Sequence, residues 1–157
     1  MIPPETTDPA RARACFLLNP NAKEAMMSTA IVCTALLGLL LFVLGMLVSG
    51  TRGTTKTNFG YNPDPTDRLY KLVRAHGNTA EYAPMLAVLY LFLAVHDQTG
   101  WARAVIWITT ACRYLLVVGI LTGPTLAKPH PLRFIGALGT YLGGIALCVA
   151  AFMAAKG

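Results

Sequence analysis

The chain is short of charge. Only 13% of its 157 residues are Asp, Glu, Lys or Arg, where a soluble domain carries nearer about 25%. That shortage excludes a freely solvated surface over most of the chain. Acid is scarcer than base, with 7 Asp and Glu against 13 Lys and Arg and a formal charge of +6. Nucleic-acid binding would need those cations gathered on one soluble face. They fall instead in short segments between apolar runs, the distribution of positive-inside loops. Nucleic acid is therefore not an expected partner. Metal chemistry has no foothold either. Cys15, Cys33, Cys112 and Cys148 are far apart, no Cys-x-x-Cys occurs, and three of them lie inside apolar runs, which predicts small buried residues without a zinc site or disulfide framework.

What the chain has in plenty is apolar sequence, 55% of residues, with a mean hydropathy of +0.54. It gathers into four stretches long enough to cross a ~30 Å hydrocarbon core. The expected fold class is all-α, an integral membrane four-helix bundle and a multi-pass protein in contact with the lipid bilayer. The expected domains are a polar leader over residues 1–27, disordered or untranslated with Met26 or Met27 as the start, and a membrane domain over residues 28–157. The run from Thr29 to Val48 outlasts a signal-peptide core and has no small-x-small cleavage site after it, so it reads as a retained first span.

Ser49-Gly50 is expected to end that span, and a Thr-, Gly- and Asn-rich loop to follow to Pro63. Asp64 reads as the cap of the second helix, with Pro65 in its first position. That helix should run to His96, too long for the membrane alone. Pro84 removes one backbone donor and should bend it. His96 to Gly100 reads as a turn. A third helix is expected from Trp101 to about Leu121, stopped by Gly123-Pro124. A fourth should follow Pro129-His130-Pro131 and reach Lys156. Its Gly136, Gly139 and Gly143 permit close packing. Arg52, Lys56, Arg68, Lys71, Arg74, Lys128 and Arg133 then share one side. The bias favours that side facing the cytoplasm.

Lys71, Arg74, Asn78 and Glu81 fall within a sector of about 80° on the second helix. Such a face is expensive in lipid and calls for a polar partner. Arg113, near the middle of the third helix, also needs an anion. Glu81 is the sole acidic residue within the apolar spans, so an Arg113–Glu81 pair is one expectation. Arg52, Arg74, Arg113 and Arg133 outnumber that carboxylate, and the surplus points to an anionic ligand. His76 lies about 200° from Arg74 on the wheel and should face another interface. His96 and His130 read as solvated loop residues.

The segment Arg74-Ala-x-x-Asn78-x-x-Glu81-Tyr82, followed by Pro84, resembles the signature of the MAPEG family, the membrane-associated proteins of eicosanoid and glutathione metabolism. Arg113, Gly119 and Pro131-Leu132-Arg133 agree with it, and the likeness covers about residues 28–155. The resemblance implies a homotrimer with glutathione sites between subunits, open to the cytoplasm. It implies that Arg52, Arg74, Asn78, Glu81 and Tyr82 hold glutathione as co-substrate. Arg133 and Arg113 would be the catalytic arginines, with Arg133 activating the thiol. The implied activity is a transferase or peroxidase acting on a lipophilic small molecule. Leu116 and Ile120 stand where leukotriene-synthase-like members of that family carry tyrosines. That departure keeps open a non-catalytic lipid- or thiol-binding protein on the same scaffold. A small exporter using Glu81 as its coupling carboxylate is a third reading.

Overall fold

The computed structural model describes residues 20–96 and 100–156. Among the described residues there are four helices: α1 (Pro20–Thr55), α2 (Arg68–His96), α3 (Trp101–Thr122) and α4 (Pro131–Ala154). All four are long and apolar enough to cross a membrane. α2 and α3 each pack on all three other helices, whereas α1 and α4 do not meet. The molecule is a four-helix membrane bundle with α2 and α3 at its centre.

α1 is 36 residues long, about 54 Å at ~1.5 Å per residue, and exceeds the expected span at both ends. Residues 20–27, read as part of the polar leader, are helical. Ala, Lys, Glu and Met are good helix formers, and Pro20 suits the first position. Met26 is 2% exposed and belongs to one buried cluster with Tyr90, Leu93 and Ala94 of α2, so tertiary contact reinforces the propensity. Residues 1–19 lie outside the described residues. At the other end Gly50 does not stop the helix. The Thr54 and Thr55 hydroxyls donate to the Thr51 carbonyl, each at 2.9 Å. Termination falls to Lys56, whose φ of 52° is left-handed, and to the Thr57 amide closing on the Arg52 carbonyl at 3.1 Å.

The start of α2 also shifts. Asp64 does not cap the helix; its carboxylate accepts from the amide and hydroxyl of Thr66, both at 2.8 Å, in a turn of its own. The cap is Asp67, whose carboxylate accepts the Tyr70 amide at 2.8 Å, satisfying one of the orphan donors of the first turn. α3 and α4 begin as expected, at Trp101 and at Pro131. Of the expected turn after α2, residues 97–99 lie outside the described residues.

The α3–α4 contact depends on the glycines of α4. A Cβ at Gly136 would stand 2.5 Å from the Leu116 amide nitrogen, and one at Gly143 would collide with the Thr109 hydroxyl. Backbones therefore approach closely, as small residues allow in lipid. Gly119 does the same from α3, since a Cβ there would lie 2.7 Å from the Arg133 amide nitrogen. This contact seats the first turn of α4 across the end of α3. Tyr114 donates to the Leu36 carbonyl at 2.8 Å and ties α3 to α1. Tyr90 is fully buried and accepts from the Thr110 hydroxyl at 3.1 Å. The outer faces stay apolar: Phe42 and Met46 are 73% and 74% exposed, as a lipid- or partner-facing surface requires.

Candidate functional site

Three helix faces converge on one cavity. α2 contributes Tyr70, Arg74 and Asn78; α3 contributes Leu116 and Ile120; α4 contributes Arg133, Ala137 and Tyr141. In each helix these members stand four residues apart, one turn above the next on a single face, and Phe134 of α4 lines the cavity beside Arg133. The segment between α3 and α4 closes the mouth with Leu126, Pro129 and His130, around a cavity of about 540 Å³.

Two cations hold that closing segment. Lys71 donates from Nζ to the carbonyls of Gly123 at 2.9 Å and Pro124 at 3.0 Å. These are carbonyls at the end of α3, where a cation also meets the negative end of the helix dipole. Arg133 donates to the carbonyls of Thr125, Leu126 and Lys128 at 3.3 to 3.4 Å. Those bonds are long for a guanidinium, so they are readily exchanged for a better acceptor. The Leu126 amide donates to the Pro65 carbonyl at 3.0 Å and joins the two loops at this end.

Arg113 lies beneath the cavity and is 0% exposed. It does not pair with Glu81. Nη1 donates to the Asn78 side-chain oxygen at 2.9 Å, and Nη2 donates to the Asn78 carbonyl at 3.0 Å and to the Thr79 hydroxyl at 3.4 Å. Its Nε has no partner among the described residues. The guanidinium also lies 5.2 Å from the centre of the Tyr82 ring, a distance at which ring quadrupole and cation attract. An amide, a carbonyl and an aromatic face thus serve the buried cation in place of a carboxylate.

The predicted site residues divide accordingly. Arg74, Asn78 and Arg133 meet in the cavity wall. Arg113 touches that wall from below through Asn78. Tyr82 faces a second cavity. Glu81 is exposed on α2, because Asn78 takes the edge of the polar sector that faces α3. Arg52 donates to the Asn58 carbonyl at 3.1 Å, at the far end of α1, and is not part of either wall. Within one chain the four arginines do not converge on Glu81. His76 faces α1 at Gly45, in a separate groove, as the wheel predicts.

Sequence reasoning missed Tyr70, His130 and Tyr141. His130 is no free loop side chain: it lines the cavity. Tyr141 shares the helical face of Arg133 and Ala137, and that spacing was the available signal. The Tyr141 and Tyr82 rings lie 5.7 Å apart.

The second cavity, about 730 Å³, runs between α2 and α4 and is lined by Tyr82, Met85, Leu86, Leu89, Ile145 and Phe152, among others. Its wall is almost wholly apolar, so it offers a place to a hydrocarbon and nothing to an ion. A polar, cation-lined cavity and an apolar groove therefore adjoin in one bundle.

A family model described as MAPEG family matches residues 30–153. No curated protein matches the chain.

Proposed function

The chain belongs to the MAPEG family and is an integral multi-pass membrane protein, and on that premise we propose a glutathione-dependent membrane transferase or peroxidase. Its substrates would be lipophilic electrophiles or lipid hydroperoxides. The observation that carries the reading is the meeting of Arg74, Asn78 and Arg133 in one cavity beside an apolar groove. Glutathione has two carboxylates, an ammonium, two peptide groups and a thiol. Arginine forks suit the carboxylates, and an asparagine can serve a peptide group. An apolar co-substrate would reach the groove from the bilayer.

The reactive species is the thiolate. A thiol of pKa near 8.5 must fall by about two units to be mostly ionised at neutral pH, which takes about 2.7 kcal/mol. One well-placed cation in a site shielded from water can supply that. Arg133 is our candidate, since its weak bonds to loop carbonyls leave it free to turn to an anion. Arg113 is committed to Asn78 and acts through it. Of the expected glutathione ligands, Tyr82 lines the apolar groove, and Arg52 and Glu81 stand apart from both cavities. Glu81 is exposed and Arg52 half-buried on the chain, which supports a homotrimer in which they complete a neighbouring subunit's site. Glu81 would then receive the ammonium. The site would open to the cytoplasm.

The test is turnover by purified protein of an aryl halide, an epoxide and an alkyl hydroperoxide, each with and without glutathione. Glutathione-dependent consumption of any of them supports the proposal; none across the panel refutes it. One observation favours the non-catalytic binder as a second reading: Leu116 and Ile120 put no hydroxyl into the α3 side of the cavity. Saturable glutathione binding without turnover would favour that reading.

A further inference from the structure

The polar cavity and the apolar groove share one lining residue, Tyr141. A water-soluble thiol and a membrane-soluble electrophile can meet only where their compartments meet. Whatever reacts there reacts against this side chain. The residue is 47% exposed, so its ring forms part of both surfaces. It stands two turns from Arg133 along the same face of α4. Across the groove its ring faces Tyr82, which covers the Arg113 guanidinium. Of the other hydroxyl in the polar wall, Tyr70, the ring is engaged 5.0 Å from Tyr61 at the opposite end of the cavity. The α3 positions facing the cavity, Leu116 and Ile120, bring no polar group.

We propose that the Tyr141 hydroxyl donates a proton to the leaving oxygen of the apolar co-substrate. The inference rests on the reading of the polar cavity as a thiol site. With an epoxide, the thiolate sulfur attacks carbon. The S–C bond forms, the C–O bond breaks with its electron pair on oxygen, and that oxygen takes the Tyr141 proton. With an alkyl hydroperoxide, sulfur attacks the terminal oxygen and the O–O bond breaks. The alkoxide takes the proton and leaves as the alcohol. A second thiol then displaces water from the sulfenic sulfur, so two thiols are oxidised to the disulfide as one hydroperoxide is reduced. In both cases the tyrosinate regains its proton from water in the polar cavity. An alkoxide is a far stronger base than a phenolate, so the transfer runs downhill. A halide leaving group needs no proton and makes no such demand.

The experiment compares wild type with Tyr141→Phe on three co-substrates: an aryl halide, an epoxide and an alkyl hydroperoxide. Glutathione affinity is measured by calorimetry on both proteins, and thermal stability reports folding. Tyr141→Phe is expected to lower kcat by about 10²-fold on the epoxide and hydroperoxide. The aryl halide rate should stay within about threefold, and glutathione affinity within about twofold. That split by leaving group is what a merely structural tyrosine would not produce. Equal losses on all three co-substrates, or no loss on the oxygen-leaving pair, overturn the inference alone. So does a wild type that consumes the halide but neither oxygen-leaving compound. A wild type inert to all three overturns the thiol-site reading and this inference with it.

Discussion

Asn78→Ala is expected to destabilise the bundle by about 2–3 kcal/mol. The substitution removes the oxygen that accepts from Arg113 Nη1 at 2.9 Å and leaves the backbone carbonyl that accepts from Nη2 at 3.0 Å. A hydrogen bond to a charged group contributes about 1.5–3 kcal/mol. Two facts put this one at the upper end: Arg113 is 0% exposed, and its Nε is already without a partner among the described residues. Water cannot replace the lost acceptor without opening the α2–α3 contact. At about 2–4 °C per kcal/mol for a chain of this size, the melting temperature should fall by roughly 5–10 °C. Near-ultraviolet circular dichroism of the detergent-solubilised protein would follow the transition. Asn78→Asp separates structure from binding. It returns an acceptor, now charged, to Arg113, and should melt at or above wild type. It removes the amide donor, so glutathione affinity should fall if Asn78 serves a peptide carbonyl. Asn78→Ala melting with wild type, or Asn78→Asp falling as far as Asn78→Ala, would refute this account of Arg113.

Gly136→Ala puts a methyl 2.5 Å from the Leu116 amide nitrogen; backbone must move, and a loss of about 1–3 kcal/mol is expected in the same melting assay. Gly38→Ala, with nothing within 4 Å of its added Cβ, should be neutral or slightly stabilising. Lys71→Met removes both bonds to the Gly123 and Pro124 carbonyls, and exchange of the Leu126 amide proton should quicken by at least about tenfold. The Asp64 carboxyl is held below its usual range by the Thr66 amide and hydroxyl. Its turn therefore contributes fully above the unfolded value near about 3.9 and is lost as pH falls through the lower folded value. A carboxyl carbon titration by nuclear magnetic resonance should find that lowered midpoint in wild type and an ordinary one in Thr66→Ala.

The boundaries on either side of the α3–α4 connection were legible because their signals are local. Gly123-Pro124 stops α3 and Pro131 opens α4, as backbone chemistry requires. The ends of α1 were not, since a glycine inside an apolar helix costs only about 1 kcal/mol and Met26 is fixed by packing that no pattern reveals. Asp64 and Asp67 both look like caps, and only the geometry of Pro65 and Thr66 separates them. In the site, Arg74 and Asn78 were legible as one helical face. The partner of Arg113 was not: charge suggested Glu81, while the rotation of α2 presents Asn78. The spacing put Tyr141 on the face of Arg133 and Ala137, but which cavity that face meets depends on how α4 crosses α3, a geometry set by Gly119 and Gly136 meeting backbone rather than by any motif.

The most direct measurement is the ultraviolet thiolate band of glutathione bound to the detergent-purified protein, recorded beside Arg133→Ala. A band is expected at neutral pH in wild type and is lost in the variant, with glutathione still bound by calorimetry. Binding without a band in wild type, or a band that persists in Arg133→Ala, would contradict that expectation.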